Sequence, residues 1–135
     1  YGSGKGDLSV TRVGSVYYNR GVIHGIVTTE ATRLAQQKFG VGPVSGEQMQ
    51  WALENLNITA ARIKEIGAEG LMFPLKTSCK DHEGGGAVRV QQWDGDKWVS
   101  ISDWIQPYGD MVRAEVEKSA AQYAKEKGIT PRDCR

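Results

Sequence analysis

The sequence predicts a mixed α/β fold in which parallel strands with flanking helices are followed by a β-hairpin and a closing helix. Three observations predict it. Apolar and polar residues alternate on both sides of Asp94-Gly95: Val88 and Val90 with Arg89 and Gln91, then Val99 and Ile101 with Trp98, Ser100 and Ser102. That is period-2 patterning about a turn whose residues tolerate positive φ. Ile23, Ile26, Val27, Ala31, Leu34, Ala35 and Phe39 recur at helical spacing. Finally, the short apolar run Leu71-Met72-Phe73, closed by Pro74 and Leu75, reads as buried strand.

The elements follow in order. Residues 1–9 are glycine-rich and hydrophilic and read as a flexible linker. Gly2-Ser3-Gly4-Lys5-Gly6 lacks the spacing of a phosphate-binding loop, and no apolar strand precedes it. Residues 10–135 then form one segment. Residues 10–18 read as a strand ending in Tyr17-Tyr18, after which Asn19 is placed to N-cap a helix over 20–39, with Gly40 at its C′ position. Val41-Gly42-Pro43 breaks the chain, and Ser45 with Gln48 makes a capping-box pattern for a second helix carrying Met49, Ala52, Leu53 and Leu56. Thr59 caps a short third helix carrying Ile63 and Ile66, stopped by Gly67. A strand over 71–75, a polar loop and the hairpin come next. The last helix, over 110–127, lines Val112, Val116, Ala120 and Tyr123 along one face and ends at Gly128. Two parallel strands make a thin sheet, so the pattern looks like part of a larger α/β protein.

Composition removes several classes of function. With 135 residues, 39% apolar, 24% charged and a net charge of +1, the chain carries no field that would steer it to nucleic acid or an anionic membrane. No apolar run approaches the ~18 residues of a membrane span. The chain opens on Tyr1, as a processed or excised chain does, and its lack of a signal peptide leaves export open. Cys79 and Cys134 are an even pair 55 residues apart. In an oxidising compartment their bridge would contribute about 4 kcal/mol through loop closure, and two free thiols are the alternative.

Candidate chemistry is sparse. Cys79-Lys80-Asp81-His82 holds a nucleophile, an acid and an imidazole, but catalytic partners ordinarily come from separate elements, so a thiol enzyme using Cys79 and His82 is the lesser reading. Cys79, His82, Cys134 and His24 lack the paired spacings of structural zinc, and no metal or cofactor is implied. Trp93, Trp98 and Trp104 read as packing around the hairpin rather than as a nucleic-acid platform, since no basic groove accompanies them. Tyr17-Tyr18-Asn19-Arg20 is placed where a strand hands over to a helix, a position where ligands of open α/β sheets sit. A helix N-terminus there also favours an anion, although ordinary capping and core roles fit the same residues.

The run MFPLKTSCKDHEGGGAVRVQQWDGDKWVSISDWI, preceded by YYNRGVIHGIVTTEATRLAQ, resembles the C-terminal part of a type I periplasmic solute-binding protein. It is similar to the branched-chain-amino-acid-type receptors of ABC importers, in the subgroup that takes aromatic acids. The resemblance implies a partial periplasmic-binding-protein type I lobe, with the rest of a longer two-lobed chain missing. It implies a non-enzymatic, periplasmic solute-binding subunit that holds a small carboxylate ligand between lobes and delivers it to a membrane permease. An aromatic acid is favoured over a branched-chain amino acid. Tyr17, Tyr18 and Asn19 would then hydrogen-bond the ligand and Arg20 would pair with its carboxylate. The extracytoplasmic setting favours a Cys79–Cys134 disulfide that pins the tail. A fragment of this kind would pair with the missing N-terminal part or with a second copy of itself, and a self-associating assembly module without ligand is the alternative.

Overall fold

A computed structural model describes residues 15–134 of the chain. The linker expected over 1–9, and residues 10–14 of the first expected strand, lie outside the described residues. Eight elements follow: α1 (Val16–Phe39), α2 (Gly46–Leu53), β1 (Asn57–Ile58), α3 (Ala60–Glu65), β2 (Leu75–Lys76), β3 (Gln91–Trp93), β4 (Trp98–Ser100) and α4 (Gly109–Lys127).

Helix α1 begins earlier than the sequence suggests. Ser15, in extended backbone, accepts the Tyr18 N–H on its Oγ at 3.3 Å and is the N-cap. Asn19 is not the cap but a helical residue whose N–H donates to the Ser15 carbonyl at 2.9 Å. Serine and asparagine cap about equally well, so residue type alone does not choose between them. Tyr17-Tyr18, strand-like by propensity, is therefore helical, because a local preference of a few tenths of a kcal/mol yields to a capped amphipathic helix. Gly40 ends α1 at φ +102 with its N–H donated to the Gln36 carbonyl.

The capping box of α2 is complete. Ser45 Oγ accepts from Gln48 N–H at 3.3 Å, and Gln48 Oε1 accepts from Ser45 N–H at 2.9 Å. Thr59 caps α3 through the Arg62 N–H.

The strand expected over 71–75 is corrected. Only Leu75–Lys76 is extended in a ladder, and it pairs antiparallel with β1, Asn57 opposite Lys76 and Ile58 opposite Leu75. Residues 68–71 form a turn closed by Leu71 N–H to the Ala68 carbonyl, and Met72 drops into the core. An apolar run signals burial without specifying extended backbone, and Pro74 has no N–H to offer a ladder. Among the described residues both ladders are antiparallel.

The core lies in the first half. Ala31 and Ala35 of α1 meet Ala52 of α2, and these small side chains let the two helices approach closely. Leu56, Ile58, Ile63, Ala68 and Met72 complete the buried cluster. Around it, Arg62 donates to both carboxylate oxygens of Glu30 at 2.9 and 2.8 Å, joining α3 to α1. Phe39 meets Trp51 edge-on at 5.3 Å, and Lys38 Nζ lies 3.9 Å from the Trp51 ring centre, joining the end of α1 to α2.

The second half is built differently. β3 and β4 form a hairpin in the register Gln91–Ser100, Gln92–Val99 and Trp93–Trp98. Its turn is held by Asp94 Oδ1, which accepts from the Asp96 and Lys97 N–H groups at 2.9 and 2.8 Å, with Gly95 at φ +111. Mutual N–H to carbonyl bonds between Val88 and Ile105 continue the pairing below. Trp104 fixes the hairpin base, its ring tilted against Phe73 at 5.4 Å and covered by the Arg89 guanidinium at 4.4 Å. Both hairpin strands are exposed throughout, and α4 contains no buried residue.

Candidate functional site

The C-terminal end of α2 is where the two halves meet. Glu54 is the C-cap residue of that helix, where the negative end of the helix dipole disfavours a carboxylate. No basic residue lies in the last turn of α2 to offset this. Arg132 supplies the charge from the far end of the chain, donating through Nη1 and Nη2 to the two Glu54 oxygens at 2.5 Å each. Gln50 Nε2 adds a bond at 3.2 Å, and His82 Nε2 stands 3.6 Å away. The Arg132 bonds, followed by that of Gln50, hold the Glu54 carboxyl at about pKa 2.

Two further ties converge here. Cys79 and Cys134 are bonded, their Cα atoms 5.5 Å apart, so the tail bearing Arg132 is fixed covalently beside the loop that follows β2. Thr77 Oγ1 donates to the Leu53 carbonyl at 2.5 Å and Thr77 N–H to the Leu56 carbonyl at 3.0 Å, seating the start of that loop on the end of α2. Between these ties and α1 lies an open cleft of about 720 Å³. Met49, Leu53 and Leu75 make its apolar wall, and His24, Glu54 and His82 its polar side. Its size falls within the range of small-molecule pockets.

Asp81 organises the loop. Its Oδ1 accepts from the Gly84 and Glu83 N–H groups at 3.1 and 3.0 Å and pairs with Arg113 Nη2 of α4 at 2.7 Å. The Gly84 bond, with the Arg113 and Glu83 contributions, outweighs partial desolvation and lowers the Asp81 pKa. Gly84 is buried at φ +74, and a Cβ there would stand 2.3 Å from Leu75 Cδ1. Of the glycines Gly84, Gly85 and Gly86, Gly84 is thus the one demanded by space as well as by backbone angle.

Of the residues singled out from the sequence, Cys79 and Cys134 are brought together as a disulfide, and the others do not together form one site with the cleft. Tyr17, Tyr18, Asn19 and Arg20 lie in the opening turns of α1, with Tyr17 83% exposed. His24, one turn further on, reaches the cleft, and these four do not line it. Cys79 is bonded to Cys134, so it offers no thiol for nucleophilic attack. Among the described residues, no group of three His, Cys, Asp or Glu side chains is placed to hold a metal ion. The sequence reading missed Glu54 and Arg132. The available signal was a carboxylate at an uncompensated helix C-terminus, which requires a cation from elsewhere.

The chain matches a crystal structure of an ABC transporter permease from the Pseudomonas fluorescens group, with 51% sequence identity and a TM-score of 0.88. The match covers 95% of this chain and 31% of that one, so the chain spans less than a third of its relative's length. No protein-family model and no curated protein matches the sequence. The ABC-transporter context therefore stands. The solute-binding receptor does not: the related structure is described as a permease, which overturns the reading of this chain as a periplasmic, ligand-delivering subunit, whether for aromatic acids or branched-chain amino acids. The error has a physical source, since the stretch compared contains nothing that announces a membrane protein. Among the described residues, no helix is long and apolar enough to cross a membrane.

Proposed function

We propose that this chain is an extramembrane portion of an ABC transporter permease. The match in sequence and structure to such a protein carries the reading. That no described helix meets the length and hydropathy of a span favours placing this portion outside the bilayer. Its role is structural and non-enzymatic, with no cofactor, and its elements complete an α/β lobe together with the rest of the permease polypeptide, its principal partner. The first turns of α1 serve as a contact surface for a polar or anionic group of the transported solute. Exposed Tyr17, the Arg20 charge and the absence of acidic residues from that turn support this role for Tyr17, Tyr18, Asn19 and Arg20.

Fractionation of cells expressing the full-length parent tests the reading. The parent should sediment with the inner membrane, with this portion accessible to protease from one face. Recovery of the intact parent in osmotic-shock fluid would overturn the proposal. Transport by a Tyr18→Phe, Arg20→Ala parent should fall if the α1 turn meets the solute, and unchanged uptake would remove that role.

A further inference from the structure

Among the described residues, none buries the apolar face of helix α4. Val112, Val116, Ala120 and Tyr123 follow one another at spacings of four, four and three, and Met111 adjoins them. The helix buries none of its residues, and Met111, Val112, Val116 and Tyr123 are each about half exposed or more. These side chains line a shallow apolar groove. The helix is nevertheless positioned. Arg113, one residue along from Val112 and off the stripe, bonds the Lys80 carbonyl at 3.1 Å and Asp81 at 2.7 Å. That polar anchor fixes how α4 leaves the loop while leaving the apolar stripe open. The related transporter structure superposes over nearly the whole of this chain, and the greater part of its polypeptide lies outside the match.

From these observations we infer that the Val112–Val116–Tyr123 face of α4 is the surface on which the remainder of the transporter polypeptide packs. The inference rests on the reading of this chain as a portion of a longer transporter protein. The occupant is the polypeptide corresponding to the unmatched part of the related structure, presenting an apolar surface to the stripe. An amphipathic helix held by a polar anchor at one edge is what an intramolecular interface looks like from one side only.

The test mixes the 135-residue chain with the part of the Pseudomonas fluorescens-group protein that lies outside the match, and follows association by sedimentation and hydrogen exchange. The expected result is a one-to-one complex in which amides of α4 gain protection. Val116→Lys should weaken association at least tenfold while the far-ultraviolet circular dichroism of the isolated chain stays unchanged, because Val116 touches no core residue. A complex that leaves α4 unprotected and tolerates Val116→Lys would overturn the surface assignment but not the reading of the chain as a portion. A homodimer protected on α4, with no affinity for the added polypeptide, would overturn the assigned occupant. A monomer that ignores the polypeptide would overturn the inference and count against the parent reading as well.

Discussion

Residues 15–77 and residues 88–134 carry apolar patterning of similar regularity, but only the first region buries it. Among the described residues, every buried hydrophobic side chain lies between Ala31 and Met72. In the second region Trp93, Trp98, Val99, Val112, Val116 and Tyr123 are all exposed, although they sit at hairpin or helical spacing. The first region closes on itself because α1 and α2 meet through alanines while α3 adds buried Ile63 and the Arg62–Glu30 pair. The second is tied to it by Arg132 to Glu54 and the Trp104–Phe73 ring contact, and to the loop between them by Arg113 to Asp81 and Cys134 to Cys79. Periodicity therefore reports that a face will be covered, and not whether the cover belongs to the same stretch of chain.

The widest separation between the regions should come from truncating one side chain in each. Ile58 is 1% exposed at the centre of the small core, and Ile58→Ala should lower unfolding free energy in urea by about 2–5 kcal/mol. A loss under 1 kcal/mol would mean that the first region is not the cooperative unit. Next in size is Gly84→Ala, where positive φ and the Leu75 contact combine to cost about 1–3 kcal/mol. Gly85→Ala, also at positive φ but facing open space, should cost less, and equal losses would assign the effect to backbone angle alone.

A smaller, pH-dependent effect should come from the tie between the regions. The Glu54 carboxyl falls from an ordinary 4.5 to about 2, so it binds its proton more weakly in the folded chain than in the unfolded one. Its contribution is complete above about pH 4.5 and is lost as pH falls towards 2. Denaturation across that window should show a slope that Glu54→Gln reduces without abolishing, because Asp81 and Asp94 also titrate low. The smallest effect belongs to Val116→Ala. Its change should stay within about 0.5 kcal/mol in the isolated chain, since truncation there opens no cavity. A loss as large as that of Ile58→Ala would erase the distinction between the regions.

How much of this was legible depended on the range of the interaction. The capping box at Ser45 and Gln48, the Thr59 cap, the Gly40 and Gly128 stops and the Asp94-Gly95 turn are local, and the sequence states them within four residues. Ser15 rather than Asn19 as the α1 cap was not legible, because two adequate caps stood four residues apart. The β1–β2 ladder escaped because each strand is only two residues long and its pairing spans helix α3. Glu54 and Arg132 escaped for a stronger reason: they are 78 residues apart, and nothing near either one names the other. The similarity to a permease was missed because the compared stretch carries order and spacing, and no described helix is long and apolar enough to cross a membrane.

The bond between Cys79 and Cys134 turns the second region into a closed ring of covalent chain suspended from β2. A single cut inside that ring does not divide the molecule. A protease that cleaves after exposed Lys97 at the hairpin tip would leave both products joined through sulfur, migrating as one species without reductant and as two with it. Exposed loops of this protein can therefore be nicked while its parts remain together, and the damage becomes visible only where thiols are kept reduced.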